Sequence, residues 1–354
     1  MRGVVFEGER TIDVATFDDP VARPGEVVVE IKASGMCGSD LKSYRLGSKA
    51  ALASYGLGPD ALDEGARIIA GHEPCGVVAA VGPGVDCLST RVGDRVMVFH
   101  YTGCGMCREC RTGWTQLCER ETGLIGTTVH GGHADFLKVP ASTLVPLPDE
   151  LTFSAGAAIS CGTGTAFGGL VRMGLSARDT VAVFGLGPVG LAGVQLASAM
   201  GAEVIGVDIA ADRVAVAQDF GAAHVIDSST VDPVAAIRDL TRGRGVTCAL
   251  EASGAASARQ ASVNGAATWG RVAFVGHGPS ETPLDISRQV IRKQLTLIGS
   301  YTFSIVGQAD CARFVVDHGV DVDQVFSNRW TIDQAAEAYV DFDKQTGGKA
   351  LIEF

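Results

Sequence analysis

The chain has 354 residues, 46% hydrophobic and 19% charged, with a formal net charge of −11. That length is too great for one ordinary core and suggests about two domains. The acidic balance, with no stripe of Lys and Arg, argues against a nucleic-acid partner.

The opening MRGVVFEGERTIDV reads as an alternating strand with charges inside it and lacks the apolar core of a signal peptide, so a cytoplasmic protein is expected. The ten cysteines fit a reducing compartment. Segments 26-EVVVEIKAS-34, 76-GVVAAVG-82 and 95-RVMVF-99, divided by Gly, Pro and Asp turns, make residues 1–154 β-rich and barrel-like in expectation. Within this part, 103-GCGMCRECRTGWTQLC-118 crowds Cys104, Cys107, Cys110 and Cys118 together. A redox dithiol, a pair of disulfides and a metal cage are all conceivable. The repeated three-residue spacing favours four thiolates round one zinc, a closed site that does no chemistry.

From residue 155 to 299 apolar strands alternate with helices: 180-TVAVFG-185, a helix to Met200, 203-EVIGVD-208, a helix over 211–221, then 223-AHVID-227, 246-VTCALEAS-253, 271-RVAFVG-276 and 295-LTLIGS-300. This alternation implies a doubly wound parallel sheet of the α/β class with crossover helices. The uncharged stretch from Thr180 to Ala202 is long enough to cross a bilayer, but its Gly and Pro after VAVF suit a buried strand, turn and helix better. Residues 300–354, with a helix over 306–319 and a terminal KALIEF, are expected to return to the first domain.

The turn 185-GLGPVG-190 (Gly185, Leu186, Gly187, Pro188, Val189, Gly190) has the Gly-x-Gly-x-x-Gly pattern between strand and helix. Such a turn lets a pyrophosphate meet a helix N-terminus. Asp208 ends the next strand, where an acid hydrogen-bonds the adenosine ribose and disfavours a 2′-phosphate; Arg213 follows five residues on. NAD is therefore the expected cofactor.

Three further segments, 36-MCGSD-40, 71-GHEPCGVV-78 and 159-ISCGTGTA-166, hold metal-binding residue types without a local spacing that joins them. Together with the four-cysteine lobe, the Gly-His-Glu-x-x-Gly-x-x-x-x-x-Gly run from Gly71 to Gly82 and the dinucleotide loop, they stand in an order that resembles the zinc-dependent medium-chain alcohol dehydrogenases along essentially the whole chain. The resemblance implies a β-rich catalytic domain (1–154 and 300–354) and a Rossmann cofactor domain (155–299). It implies Cys37, His72 and Cys161 as ligands of a catalytic zinc with an open position, besides the structural zinc of the lobe. It further implies Glu73 close behind the metal, Ser39 on the substrate oxygen, Asp40 orienting His72, Thr165 near the nicotinamide, Val275 among the cofactor contacts and Lys349 reaching the pyrophosphate.

The implied reaction is reversible oxidation of a primary or secondary alcohol to an aldehyde or ketone with hydride transfer to NAD, by a homodimer or homotetramer. Two positions depart from the family pattern. Lys42 stands where many relatives end a proton relay with histidine, and His100 where simple alcohol dehydrogenases often place an aromatic wall. The segment 41–69 is longer than usual and is expected to border the substrate entrance. A polyol or amino-alcohol substrate is the nearest alternative; a nonenzymatic nucleotide-binding or structural protein is the alternative of another class.

Overall fold

The computed structural model describes residues 1–54, 66–278 and 281–354. Met1–Cys161, Ser304–Val316 and Phe326–Phe354 form one compact unit, and Gly162–Phe303 with Asp317–Val325 form another. The sequence expectation put 155–299 with the second unit and 300–354 with the first; residues 155–161 instead pack with the first, and 300–303 and Asp317–Val325 with the second.

In the first unit the central strand is Glu26–Gly35. Val27, Val29 and Ile31 alternate along it and bury one face with Val78, Val96, Val98, Leu137 and Val139. One edge pairs antiparallel with Glu73–Val81. The other edge is shared: Phe136–Pro140 takes residues 26–30 and Lys349–Glu353 takes residues 33–35. Phe326–Thr331 joins parallel to Lys349–Glu353, so the seven-stranded sheet is mixed. Gly76 and Gly82 have a packing reason: a Cβ at either would stand 2.0 Å from a backbone oxygen, of Glu30 and Arg23 respectively.

The second unit is a six-stranded parallel sheet in the order His224–Asp227, Glu203–Asp208, Thr180–Phe184, Val246–Glu251, Ala266–Phe274, Thr296–Gly299. Numbered by sequence this is 3-2-1-4-5-6, the doubly wound order whose direction reverses between the first and fourth strands. The stretch expected to be strand, turn and helix is Thr180–Phe184 followed by the twelve-residue helix Pro188–Ala199. No helix among the described residues is long and apolar enough to cross a membrane.

The helix expected over 211–221 stops at Val216, after which the chain turns inward and buries Ala217 and Phe220. Crossover helices Pro233–Leu240 and Ala256–Gly265 were not assigned from sequence. Of the segment 41–69, residues 41–46 and 48–54 lie in two short helices, Asp40–Leu46 and Ser48–Ser54, joined at Gly47, while 55–65 fall outside the described residues.

Candidate active site and metal centres

The four lobe cysteines bring their sulfurs within 4.8 Å of one another. Cys107 Sγ and Cys118 Sγ are 3.9 Å apart and every thiol is free, which leaves no disulfide. Sulfurs about 2.3 Å from a shared tetrahedral centre would stand roughly 3.8 Å apart, so the set fits zinc. Backbone amides support the thiolates: Cys104 N–H points to Cys118 Sγ, Cys107 N–H to Cys104 Sγ and Cys110 N–H to Cys107 Sγ. Such donors bring the Cys118 thiol down to about 6, while burial pushes Cys110 up to about 12.

The second cluster is assembled by strand register. Gly35 pairs with Glu73, so Cys37, two residues past the first strand, meets His72, one residue before the second. Cys161 comes from a single π-helical turn, Ile159–Thr163, between two α-helices; such bulges re-aim a side chain within a helix. The donor atoms of Cys37, His72, Glu73 and Cys161 lie within 4.8 Å of one another, with Cys37 and Cys161 sulfurs 4.0 Å apart. Two sulfurs and an imidazole are a donor set suited to zinc that leaves a position open.

His72 Nδ1 lies 2.9 Å from Asp40 Oδ1, which leaves Nε2 on the cluster side. Burial alone would lower the His72 pKa, but Asp40 and Cys37 overcome it and raise it well above the usual range. Cys161, and then His72, hold the Cys37 thiol well below its usual value, which favours the metal-binding thiolate. Ser39 precedes the helix Asp40–Leu46 but spends no bond on capping it; its Oγ is 3.4 Å from His72 Nε2.

Lys349 has a partner that the sequence expectation did not name. Its ammonium, aimed there at a pyrophosphate, is buried and donates to Glu73 Oε1 at 2.6 Å and to Met36 O at 3.1 Å. Glu73 is wholly buried, and Gly35 makes room for it, since a Cβ there would stand 2.0 Å from its Oε2. Burial pushes the Glu73 carboxyl up, and Lys349 opposes that push. His100 is buried and donates Nδ1–H to Ser160 O at 2.8 Å; burial, then the charge of His72, drives it down to about 3, so it is neutral. Its ring lies 5.3 Å from that of His72.

In the second unit the three loop glycines divide by cause. Gly185 has φ +87° and faces Ser253, and a Cβ on Gly190 would stand 1.7 Å from Gly185 O. A Cβ on Gly187 would meet only Arg213, at 3.9 Å, so its smallness answers to something outside the protein's own packing. Pro188 opens the helix and Val189 follows, both half-buried. Leu186 points inward against Gly206, and its N–H is taken by Asp208 Oδ2 at 2.6 Å. Asp208 Oδ1 takes Ala210 N–H at 2.8 Å, and Arg213 Nη1 stands 4.0 Å from Oδ2.

Thr165 is buried in the helix Gly164–Met173, and Val275 donates its N–H to Glu251 O. Glu251, which sequence reasoning missed, is buried at the end of its strand. Its Oε1 takes Ser253 N–H, Ser253 Oγ–H and Gly254 N–H, which fixes the loop against Gly185. An acid at the end of an apolar strand, followed by Ser-Gly, was the available signal.

Residues 23–149 match the model of the alcohol dehydrogenase GroES-like domain and residues 188–318 that of the zinc-binding dehydrogenase domain. An uncharacterised zinc-type alcohol dehydrogenase-like protein of Escherichia coli, YphC, is 35% identical over 100% of this chain and 99% of its own. A sorbitol dehydrogenase of Bacillus subtilis is 29% identical over 96% of this chain and 92% of its own. The alcohol dehydrogenase TADH of Thermus sp. ATN1 superposes with a TM-score of 0.85 at 29% identity, covering 100% of this chain and 99% of its own. The chain belongs to the zinc-dependent medium-chain alcohol dehydrogenase family, and it is an oxidoreductase of that zinc-type class.

Proposed function

We propose that the protein reversibly oxidises a primary or secondary alcohol to an aldehyde or ketone, with NAD as hydride acceptor. The convergence of the Cys37, His72 and Cys161 donors, with Ser39 Oγ 3.4 Å from His72 Nε2, carries this reading. Zinc held by those three residues would supply Lewis acidity, lowering a hydroxyl pKa and polarising a carbonyl. Cys104, Cys107, Cys110 and Cys118 would hold a second, structural zinc.

Asp40 keeps the His72 ring in place, and Ser39 takes the hydroxyl proton and passes it outward. Lys42 stands at the usual end of the relay, so release runs through water or another group. Lys349 pairs with Glu73, whose carboxylate stands with the other donors as a group that can approach the metal. NAD would lie along residues 185–190, with its adenosine ribose on Asp208; Thr165 and Val275 join the cofactor set by family resemblance. Each Asp208 oxygen keeps a lone pair for that ribose beyond its backbone bond.

Alcohol-dependent NADH formation that disappears in a folded, NAD-binding Cys37→Ser variant is the expected result. Absence of turnover by the unmodified protein, across primary, secondary and polyhydroxy alcohols with either nicotinamide cofactor, would leave the nonenzymatic reading.

A second reading, a polyol or amino-alcohol substrate, is favoured by His100, a neutral polar ring beside His72. His100→Phe should shift relative kcat/KM toward simple aliphatic alcohols by about tenfold. An unchanged profile would return His100 to a packing role. Cytoplasmic location, on the thiol-rich composition, and a homodimer or homotetramer, on family resemblance, complete the proposal; light scattering on the purified protein checks the latter.

A further inference from the structure

A row of buried side chains runs from Asp40 away from the metal pocket, all within the first unit. Asp40 Oδ2 takes Cys37 N–H at 2.9 Å and the Tyr339 hydroxyl at 3.2 Å, while Oδ1 faces His72 Nδ1 at 2.9 Å. The Tyr339 oxygen lies 2.8 Å from His133 Nε2, and His133 Nδ1 lies 2.8 Å from Ser34 Oγ. Ser34, His133 and Tyr339 are wholly buried.

The sense of every bond in this row follows from one charge. A carboxylate only accepts, so Tyr339 spends its single proton on Asp40 and can only accept from His133. Burial pushes His133 down to about 4, so the ring is neutral and its one N–H sits on Nε2. His133 Nδ1 then carries the lone pair that takes the Ser34 proton. At the other end Asp40 Oδ1 faces His72 Nδ1, so Nε2 is the nitrogen whose lone pair a metal at the cluster would take.

Packing holds both outer members where the bonds need them. Tyr339 rides on the helix Ala335–Phe342, whose stripe of Ala335, Ala338, Tyr339 and Phe342 is buried. Its ring lies 4.9 Å from Phe6 and 5.5 Å from Tyr44, an apolar setting in which an unpaired hydroxyl would be costly. His133 lies against the residue before His72: a Cβ on Gly71, which has φ +88°, would stand 2.4 Å from His133 Nδ1.

We propose that Tyr339 and His133 are positioning residues of the metal pocket, holding the His72 ring through Asp40 in the tautomer and orientation that offers Nε2 to the metal. The inference rests on the reading of Cys37, His72 and Cys161 as metal ligands. Without the tyrosine hydroxyl, Asp40 loses a donor that fixes its carboxylate plane, and the His72 ring loosens with it.

Zinc-loaded wild type and Tyr339→Phe are mixed with a chromophoric chelator and metal release is followed; cobalt-substituted samples give the visible spectrum. Release from the Cys37, His72 and Cys161 pocket should quicken about tenfold, at the lower end of what outer partners of metal-bound histidines contribute. The cobalt bands should shift, while release from the four-cysteine lobe stays as in wild type. Asp40→Asn should quicken release by itself, and adding Tyr339→Phe to it should change little, since the tyrosine acts through that carboxylate.

If Tyr339→Phe does not fold, Ser34→Ala, which removes only the far hydroxyl, should show faster release from the same pocket. A folded variant with release within about twofold of wild type and an unaltered cobalt spectrum overturns the proposal, even if its Tm falls. Full additivity with Asp40→Asn does the same. A wild type that holds metal only at the four cysteines overturns the ligand reading itself, before any variant is made.

Discussion

The two cysteine-bearing clusters of the first unit are built in opposite ways. The lobe takes all four sulfurs from fifteen consecutive positions and sets them with backbone N–H groups of the same loop. The Cys37 cluster takes its donors from two strand ends and a π-helical turn, with Cys37 and Cys161 124 positions apart, and sets them with buried side chains. A closed site can be a local loop because it needs only four converging thiolates. An open site must leave one side accessible while its ligands stay rigid, so their support comes from behind and from elsewhere in the chain.

The sharpest way to break this contrast is at His72. His72→Ala should reduce turnover by more than the about 10- to 100-fold that loss of an outer partner costs a metal site. The fold and the lobe's metal should survive, as circular dichroism and metal analysis would report; loss of both metals together would mean the clusters are not independent. Cys110→Ser makes the reciprocal test. It should remove the lobe's metal, lower Tm and expose 104–118 to protease, because structural zinc contributes folding free energy. Retained metal stoichiometry in that variant would contradict a four-thiolate cage.

Lys349→Met probes the side-chain support of the open cluster. It leaves Glu73 buried without its cation, and loss of one partner from a buried ion pair costs about 3–5 kcal/mol in denaturant unfolding. The double change with Glu73→Gln should recover most of that loss. A single variant as stable as wild type would mean that the pair is not the buried pair described here.

The smallest expected effect lies outside both clusters. Asp208→Ala should lower NAD kcat/KM by about 10- to 100-fold, the worth of hydrogen bonds to a charged group, and narrow the gap to NADP. Unmodified protein that uses NADP as well as NAD would remove Asp208 from the ribose.

How much of this was legible in the sequence depended on chain separation. The four cysteines and GLGPVG declare themselves because their spacing is short, and the α/β alternation from Thr180 onward yields the parallel sheet because period and turn residues are local signals. Cys37, His72 and Cys161 were joined through a resemblance, since no local spacing unites them. Glu251, His133 and Tyr339 went unmarked, although 130-HGGH-133 sets two histidines around a glycine pair. Lys349 was marked, but its ion pair with Glu73 was not.

By itself the sequence determined the loop types, the donor residues and the order of the two folding patterns, because these follow from residue chemistry over a few neighbours. Only the tertiary structure decided which charge faces which. Lys349 meets Glu73 across 276 positions and Tyr339 meets Asp40 across 299. The pairing of Lys349–Glu353 and Glu73–Val81 with Glu26–Gly35 brings Lys349 to Glu73, and the packing of the helix Ala335–Phe342 brings Tyr339 to Asp40. A shift of one residue in either strand register would turn Lys349 or Glu73 to the other face of the sheet, so those contacts belong to the register and not to any short stretch of chain.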